Sequence, residues 1–266
     1  MRDKMSKQSI ITKQKKEFLG QFLKHGKRLD GRTFMEYREI EAKPNVIPNA
    51  EGSAIVSIGS TQVIAGIKLE VVEPFPEEPN RGALITNAEL LPLASAKFEP
   101  GPPDENSIEF SRVVDRAIRS SECIDMEKLF IEEGKVFGVF IDLYVIDYGG
   151  NLFDPALLAA SFALKHCRLP KVEEGKIIRN EIAGKLPLKN PLPVSNTFSK
   201  LDDYLLLDPS YEEDIASDAQ LIVSTTNNYV CSLQKRGTGS FKKSDVLNII
   251  DLAFKHAKEL NKYLID

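Results

Sequence analysis

Strand-like segments followed by a helix-like segment occur twice along this 266-residue chain, and this repetition constrains its fold more than any other feature. In the first series, residues 52–67 place β-branched side chains on both sides of Gly59-Ser60, which predicts two short strands joined by a turn. The periodicity of apolar residues predicts further strands over 83–93 and 136–148, and helices over 107–121 and 157–166. The buried stripe of the first of these helices is expected to consist of Ile108, Val114, Ala117 and Ile118.

The second series follows a proline-spaced segment at residues 186–193. Its predicted strands span residues 194–200, 204–208, 219–225 and 229–234. A helix is predicted after them over 244–264, with Ser244 capping its first turn. Strands and helices in this order predict an α/β protein of the α+β type, in which helices pack against mixed sheets.

The first 27 residues form a basic leader, with eight Lys or Arg residues against two acidic ones. Apolar residues between Phe18 and Leu23 recur at helical spacing, so we expect an amphipathic helix with a lysine face over residues 10–25. The whole chain nevertheless carries a net charge of -4. That charge excludes a uniformly basic nucleic-acid coat protein and leaves local basic patches as the candidates for anion binding.

Cysteine use and hydropathy indicate a reducing compartment and no membrane contact. Cys123, Cys167 and Cys231 are widely spaced and form no CxxC pair, so neither a disulfide framework nor a zinc site is encoded. The best apolar stretch, residues 152–164, is interrupted by a charge and a proline and is shorter than the roughly 18 residues that a membrane span needs. The leader lacks the apolar core of a signal peptide. We therefore expect a cytoplasmic protein.

Three arginines lie on one face of the helix predicted over residues 107–121. Arg112, Arg116 and Arg119 are spaced i, i+4 and i+7, so their side chains project from the same side. A guanidinium donates two hydrogen bonds to a phosphate and stays charged at any working pH, so this face suits a nucleic-acid backbone. The alternative is a solvated face on which the arginines pair with acids of the same segment, namely Glu109, Asp115 and Glu122.

Two other polar segments could carry chemistry. Asp208 and Asp214 bracket an acidic turn that could hold a hard divalent cation, although its composition is also that of an ordinary loop. The QKRGTG segment at residues 234–239 could bind phosphate through backbone N–H groups and cations, or could simply connect a strand to a helix. Neither segment by itself assigns an activity.

Several spaced motifs occur in a characteristic order. They are RLDGR at 28–32, GSA at 52–54 with GST at 59–61, PGPPDEN at 100–106, the three helical arginines, DYGG at 147–150 and QKRGTG at 234–239. Together they resemble the RNase PH family of phosphorolytic exoribonucleases, and within that family the larger, catalytically inactive ring subunit of the archaeal exosome. The resemblance runs from about residue 20 to residue 264.

The resemblance implies an RNase PH-like fold of duplicated half-domains, at residues 28–185 and 186–266, after a leader at residues 1–27. It also implies a hexameric ring, a trimer of heterodimers that this chain forms with an active RNase PH-like subunit. In the family, S1/KH-type cap proteins bind this ring, and the ring degrades single-stranded RNA from its 3′ end. In that family, inorganic phosphate attacks the terminal linkage and releases nucleoside diphosphates. Such a transfer needs a phosphate cradle, an acidic residue and cations.

The chain departs from the active members of the family at the phosphate cradle. Active members carry Thr-Arg-Ser/Thr after the double glycine, whereas this chain has NLFD at residues 151–154, whose aspartate repels an anion. Leu93 stands where active members have an arginine after Leu-Pro. Asp208 and Asp214 match the paired aspartates of active members in spacing, and we interpret them as remnants.

We therefore expect no catalytic residue, metal or cofactor in this chain, and expect inorganic phosphate and Mg²⁺ at the active partner's site. Arg112, Arg116 and Arg119 are expected to bind RNA, because in the family their helix reaches toward the partner's active site. One alternative is a self-sufficient phosphorolytic 3′ exoribonuclease that uses Asp208 and Asp214. Another is a structural scaffold whose arginines pair internally.

Overall fold

The computed structural model describes residues 14–265, and its elements follow the two predicted series. The predicted leader helix is present as α1 over residues 14–23, and its expected beginning lies outside the described residues. The other helices are α2 (Glu105–Ser121), α3 (Phe153–Lys165), α4 (Tyr211–Ala216) and α5 (Lys243–Asn261). The strands are β1 (Ile40–Pro44), β2 (Gly52–Ile58), β3 (Thr61–Val72), β4 (Ala83–Leu90), β5 (Phe130–Glu132), β6 (Lys135–Asp147), β7 (Arg168–Glu173), β8 (Lys176–Lys185), β9 (Val194–Leu201), β10 (Tyr204–Leu207), β11 (Ala219–Thr225) and β12 (Val230–Arg236).

The first sheet has the strand order β1-β2-β3-β6-β4, with β5 paired to β6. Its neighbours are antiparallel except for β4 and β6, which run parallel. The turn between β2 and β3 falls at Gly59-Ser60, as predicted, and Gly59 has a φ of 56°. A Cβ atom on Gly59 would lie 2.6 Å from Cδ of Arg38, so a glycine is favoured where this turn meets the Arg38 side chain.

The second sheet has the order β10-β9-β11-β12 and is antiparallel throughout. Helix α5 packs on β9 and β11, and its buried stripe consists of Ile249, Ala253, Ala257 and Leu260. These spacings of three and four residues are the ones expected for the apolar face of a helix. Two sheets with packed helices confirm the predicted α+β class.

Helix α3 lies between the two sheets. It contacts β2 and β3 of the first sheet and β9 of the second, and every residue from Phe153 to Leu164 is buried. This confirms the predicted buried helix and places the start of α3 in the interior of the molecule. No helix within residues 14–265 combines the length and apolarity needed to cross a bilayer.

Two details of the predicted helices were wrong. Ser244 lies inside α5, whose N-cap is Lys242, and the backbone N–H of Lys242 donates to the Asp245 carboxylate at 3.0 Å. Ile108, expected in the buried stripe of α2, is 51% exposed. The reason is that Ile108 lies about 120° around the helix from Val114, at 3.6 residues per turn.

The β7–β8 hairpin was not predicted. Its strands carry charged side chains that pair across the hairpin, such as Lys171 with Glu181 at 3.1 Å. Because much of the hairpin is exposed, it lacks the strict apolar alternation by which a half-buried strand is recognised.

Candidate functional site

Helix α2 is fixed at its amino terminus by the PGPPDEN segment. The side chain of Asp104 caps the helix and accepts a hydrogen bond from the backbone N–H of Ser107 at 2.8 Å. The helix packs between the edge strands β4 and β12 and leaves Arg112, Arg116 and Arg119 exposed on its outer side. We call these three residues the arginine face.

Two members of the arginine face have no carboxylate partner within the described residues. The side chain of Arg112 makes no hydrogen bond or ion pair with any part of residues 14–265. Arg116 donates only to neutral groups of β12, at 3.1 Å to Ser232 Oγ and 2.8 Å to Gln234 Oε1. Their positive charges are therefore not neutralised by contacts within the described chain.

Arg119 is different, because it forms an ion pair with an acid of the same helix, as expected if the arginines of this face pair within the chain. Its Nη2 lies 3.0 Å from Oδ1 of Asp115 and also donates to the Leu84 carbonyl at 3.0 Å. The other two acids considered in that alternative contact other cations: Glu109 pairs with Arg236, and Glu122 with Lys189. Pairing with an acid of the same segment is therefore found for Arg119, but not for Arg112 or Arg116 within the described residues.

Asp208, which follows β10, is completely buried and accepts hydrogen bonds from three side chains. Arg38 donates to both carboxylate oxygens at 2.9 and 2.8 Å, Arg32 donates at 3.1 Å, and Asn151 donates at 2.8 Å. Burial by itself would raise the pKa of Asp208, but the hydrogen bonds and charge of Arg38 outweigh burial and hold the pKa below its ordinary value. The carboxylate is an internal anchor, saturated by protein donors.

Asp154, in the first turn of α3, is also completely buried. Its carboxyl group accepts hydrogen bonds from Tyr37 Oη at 2.9 Å, from Asn151 Nδ2 at 2.9 Å, and from both the backbone N–H and the hydroxyl of Thr197 at 3.0 and 2.7 Å. Burial raises its pKa to about 6, although the hydrogen bonds from Asn151 and Thr197 favour the ionised form. The amino terminus of α3, a place where an anion could bind, therefore holds a carboxyl group of the chain itself.

The segment expected to be an acidic turn forms the short helix α4, and Asp214 lies on it. Asp214 accepts hydrogen bonds from the hydroxyl of Tyr148 and the amide of Gln220. It borders a cleft of about 180 Å³ that Lys97 and Arg236 also line, and Asp208 is not part of that lining. Within residues 14–265 no cluster of three or more His, Cys, Asp or Glu side chains could hold a metal ion.

The QKRGTG segment forms the end of β12 and the start of the connection toward α5. Gly237 has a φ of 79°, and a Cβ there would lie 2.7 Å from the backbone oxygen of Asp218. Arg236 donates to Glu109 at 2.8 Å, so its charge already has a partner. These contacts favour the connecting role that the sequence left open.

The sequence matches the profile of the 3′ exoribonuclease family, domain 1, over residues 36–170, and that of the same family, domain 2, over residues 192–256. The chain belongs to this RNase PH-type exoribonuclease family. Domain 1 of the family covers α2 and the start of α3, and domain 2 covers Asp208 and Asp214.

Curated relatives within this family are similar over nearly the whole chain. The exosome complex component Rrp42 of Thermococcus gammatolerans is 48% identical over 251 residues, which are 92% of this chain and 91% of the relative. The protein of the same name from Methanopyrus kandleri is 46% identical over 90% of this chain and 91% of its own. The resemblance to the RNase PH family and to an archaeal exosome subunit is thereby confirmed.

Solved structures of exosome chains are also similar to this chain. A chain of the Archaeoglobus fulgidus exosome with RNA bound to the active site matches with a TM-score of 0.89 and 42% identity, over 96% of this chain and all of the other. A chain of an archaeal exosome core matches with a TM-score of 0.85 and 39% identity, over 96% and 98% of the two chains. Rice Rrp46 shares the fold, with a TM-score of 0.68 and 18% identity over 89% of this chain and 97% of the other.

Sequence reasoning missed the residues that hold Asp208 in place. The RLDGR motif was noted without a role, yet Arg28 is buried, pairs with Glu213 and donates to the Leu207 carbonyl at 2.8 Å. Arg38 belongs to none of the motifs. The one available signal was the presence of three arginines within residues 28–38, just before β1.

Proposed function

We propose that this chain is a non-catalytic ring subunit of an exosome. It pairs with an active RNase PH-like subunit in a trimer of heterodimers, S1/KH-type cap proteins join the ring, and the arginine face holds single-stranded RNA during 3′-to-5′ phosphorolysis. Inorganic phosphate and Mg²⁺ bind at the active partner's site. The relatives named as exosome components and the matching exosome structure with bound RNA support this assignment.

The observation that carries the non-catalytic role is the saturation of Asp208. A carboxylate that binds a metal ion must offer a free lone pair, whereas this one is buried and accepts from Arg32, Arg38 and Asn151. The carboxyl group of Asp154 at the start of α3 adds a second obstacle, because its negative charge repels an incoming phosphate. Attack by phosphate is therefore left to the partner subunit.

The partners of the arginine face support its RNA-binding role. Arg112 can donate to a phosphate without breaking an existing contact, and Arg116 gives up only hydrogen bonds to neutral groups. Arg119 retains Asp115 and is the weakest of the three donors. Contacts of this kind hold the RNA backbone in position without reading its sequence.

The test is a reconstituted phosphorolysis assay. The purified chain alone should release no nucleoside diphosphates from single-stranded RNA in phosphate buffer, whereas the chain assembled with its active partner should. Arg112→Gln combined with Arg116→Gln should reduce the activity of the assembly and its RNA affinity. A matched pair, Lys171→Gln with Arg179→Gln on the β7–β8 hairpin, removes the same charge and should leave both unchanged.

Two outcomes would contradict the proposal. Phosphate-dependent release by the isolated chain that disappears in Asp214→Ala would establish the self-sufficient nuclease. Full activity and affinity of the assembled double variant would exclude the arginine face from RNA binding and leave a structural scaffold.

A further inference from the structure

A cavity of about 170 Å³ opens at the carboxyl end of α2, next to the last member of the arginine face. Ile118 and Met126 belong to its apolar lining, whereas Phe75, Arg81, Arg119 and Lys189 contribute a ring and three cationic groups. Of the motifs singled out in the sequence, only the arginine face reaches this cavity, through Arg119.

Phe75 contributes an exposed aromatic ring in the proline-rich segment between β3 and β4. Its side chain is 53% exposed and makes no ring contact within residues 14–265. The segment around it is nevertheless ordered by local bonds, since Glu78 N–H donates to the Phe75 carbonyl at 2.9 Å and Arg81 N–H to the Glu78 carbonyl at 3.2 Å. An apolar ring held in this way in water is available for stacking.

The cations around the cavity can reach an anionic strand at its rim by exchanging partners. Arg81, Arg119 and Lys189 line the cavity, and each pairs with one carboxylate, those of Glu78, Asp115 and Glu122. The pairs of Arg81 with Glu78 and of Lys189 with Glu122 are exposed, and exposed pairs are weak enough to exchange partners.

Inside the cavity, by contrast, a phosphate is disfavoured. The carboxyl end of α2 carries partial negative charge, and Glu122 lies there as the C-cap. A neutral, flat group is therefore the better occupant of the interior, and a phosphate the better occupant of the rim.

Arg119 belongs both to the arginine face and to this cavity. From Arg112 to Arg119 the helix rises about 10 Å, at 1.5 Å per residue. A strand that follows the arginine face toward the carboxyl end of α2 therefore arrives at Phe75.

We propose that Phe75 stacks one base of a single-stranded RNA at the end of the arginine face, with the phosphate of that nucleotide held by Arg81 and Arg119. This inference rests on the proposed function, because the strand is the one that the arginine face holds. Stacking on a phenyl ring accepts every base, so the contact adds affinity without sequence preference. A partner protein seated on the same ring is the competing occupant, and the experiment distinguishes the two.

The experiment is a two-way comparison of RNA affinity in the chain assembled with its active partner. One change is Phe75→Ala, and the other is a single abasic nucleotide moved stepwise along a short single-stranded RNA. Each change alone should weaken binding about ten-fold, the abasic effect appearing at one position of the strand. Combined, the two should cost little more than either alone, because both remove the same contact.

Controls separate stacking from folding and from charge. Phe75→Tyr keeps a ring and should bind as the parent does, and Phe18→Ala removes an equally exposed ring, 52% against 53%, and should change nothing. Phe75→Ala should leave the salt dependence of binding unchanged, whereas Arg112→Gln with Arg116→Gln should flatten it.

The proposal is overturned if Phe75→Ala binds RNA as tightly as the parent, and equally if its loss adds in full to that of the abasic site. If Phe75→Ala binds RNA normally but Arg112→Gln with Arg116→Gln weakens RNA binding, base stacking on Phe75 is excluded and the proposed function is retained. A folded Phe75→Ala variant that no longer assembles with the active subunit would overturn the proposal and assign the ring to a protein partner.

Discussion

The guanidinium of Arg38 meets the carboxylate of Asp208 in a two-point ion pair, with Nε 2.9 Å from Oδ2 and Nη2 2.8 Å from Oδ1. Arg38 precedes β1 of the first sheet, and Asp208 follows β10 of the second. The pair therefore ties the two sheets together and occupies both oxygens of the Asp208 carboxylate.

Removing one member of this buried pair should be costly. In Arg38→Gln the carboxylate of Asp208 loses its main cation while it stays out of water, and we expect the free energy of unfolding to fall by about 3 kcal/mol. Urea denaturation measures this change. The control is Arg179→Gln, which removes an exposed, paired arginine and should cost less than about 1 kcal/mol. Equal losses in the two variants would contradict the anchoring role of Arg38.

The pKa of Asp154 predicts a specific pH dependence of stability. Its value of about 6 in the folded protein exceeds the value of about 4 expected for an unfolded chain. The folded state thus binds this proton more tightly, so the contribution is fully present below pH 4 and is lost as pH rises through 6. Between these limits the parent should lose about 3 kcal/mol of unfolding free energy relative to Asp154→Asn. If the free energy of unfolding changes with pH in the same way in the parent and in Asp154→Asn, the pKa of Asp154 is not raised by folding.

A side chain at Gly150 should not be tolerated. Gly150 has a φ of 99°, and a Cβ atom would lie 2.4 Å from the carbonyl carbon of Ser210 and 2.5 Å from the Pro209 oxygen. Gly150→Ala is therefore expected to cost at least about 2 kcal/mol, and thermal unfolding measures the effect. Gly184, with no neighbour within 4 Å, is the matched site, and Gly184→Ala should be neutral or slightly stabilising. A melting temperature unchanged by Gly150→Ala would refute the close approach of these backbones.

The arginine face should show a rank order in RNA binding. Arg112→Gln should weaken binding to single-stranded RNA more than Arg119→Gln, because Arg119 already pairs with Asp115 and Arg112 has no such partner within the described residues. Each lost phosphate contact should reduce the slope of log affinity against log salt by about 0.7. Filter binding at several salt concentrations provides the measurement. The reverse order would mean that the free chain's ion pairs do not govern RNA contact.

Features that depend on near neighbours were predictable. The turn at Gly59-Ser60, the buried helix α3 and the exposed row of arginines on α2 all follow from spacing along a single element. Even the pairing of Arg119 with Asp115 was foreseen as one of two possibilities, since these residues are four apart on one helix.

Contacts between distant segments were not predictable. Arg38 and Asp208 are separated by 170 positions, and no local pattern indicates that they meet. Asn151 was identified as a replaced cradle residue, but its side-chain nitrogen donates to both Asp154 and Asp208, at 2.9 and 2.8 Å. Such a role appears only when α3 lies between the sheets.

By itself, the sequence determined the order of strands and helices and the outward placement of the arginine face, because each depends on residue type and spacing. Only the tertiary structure decided which carboxylates are saturated by protein donors and which cations, within the described residues, have no carboxylate partner. Buried polar groups take the partners that packing brings within hydrogen-bond distance, and those partners come from any part of the chain.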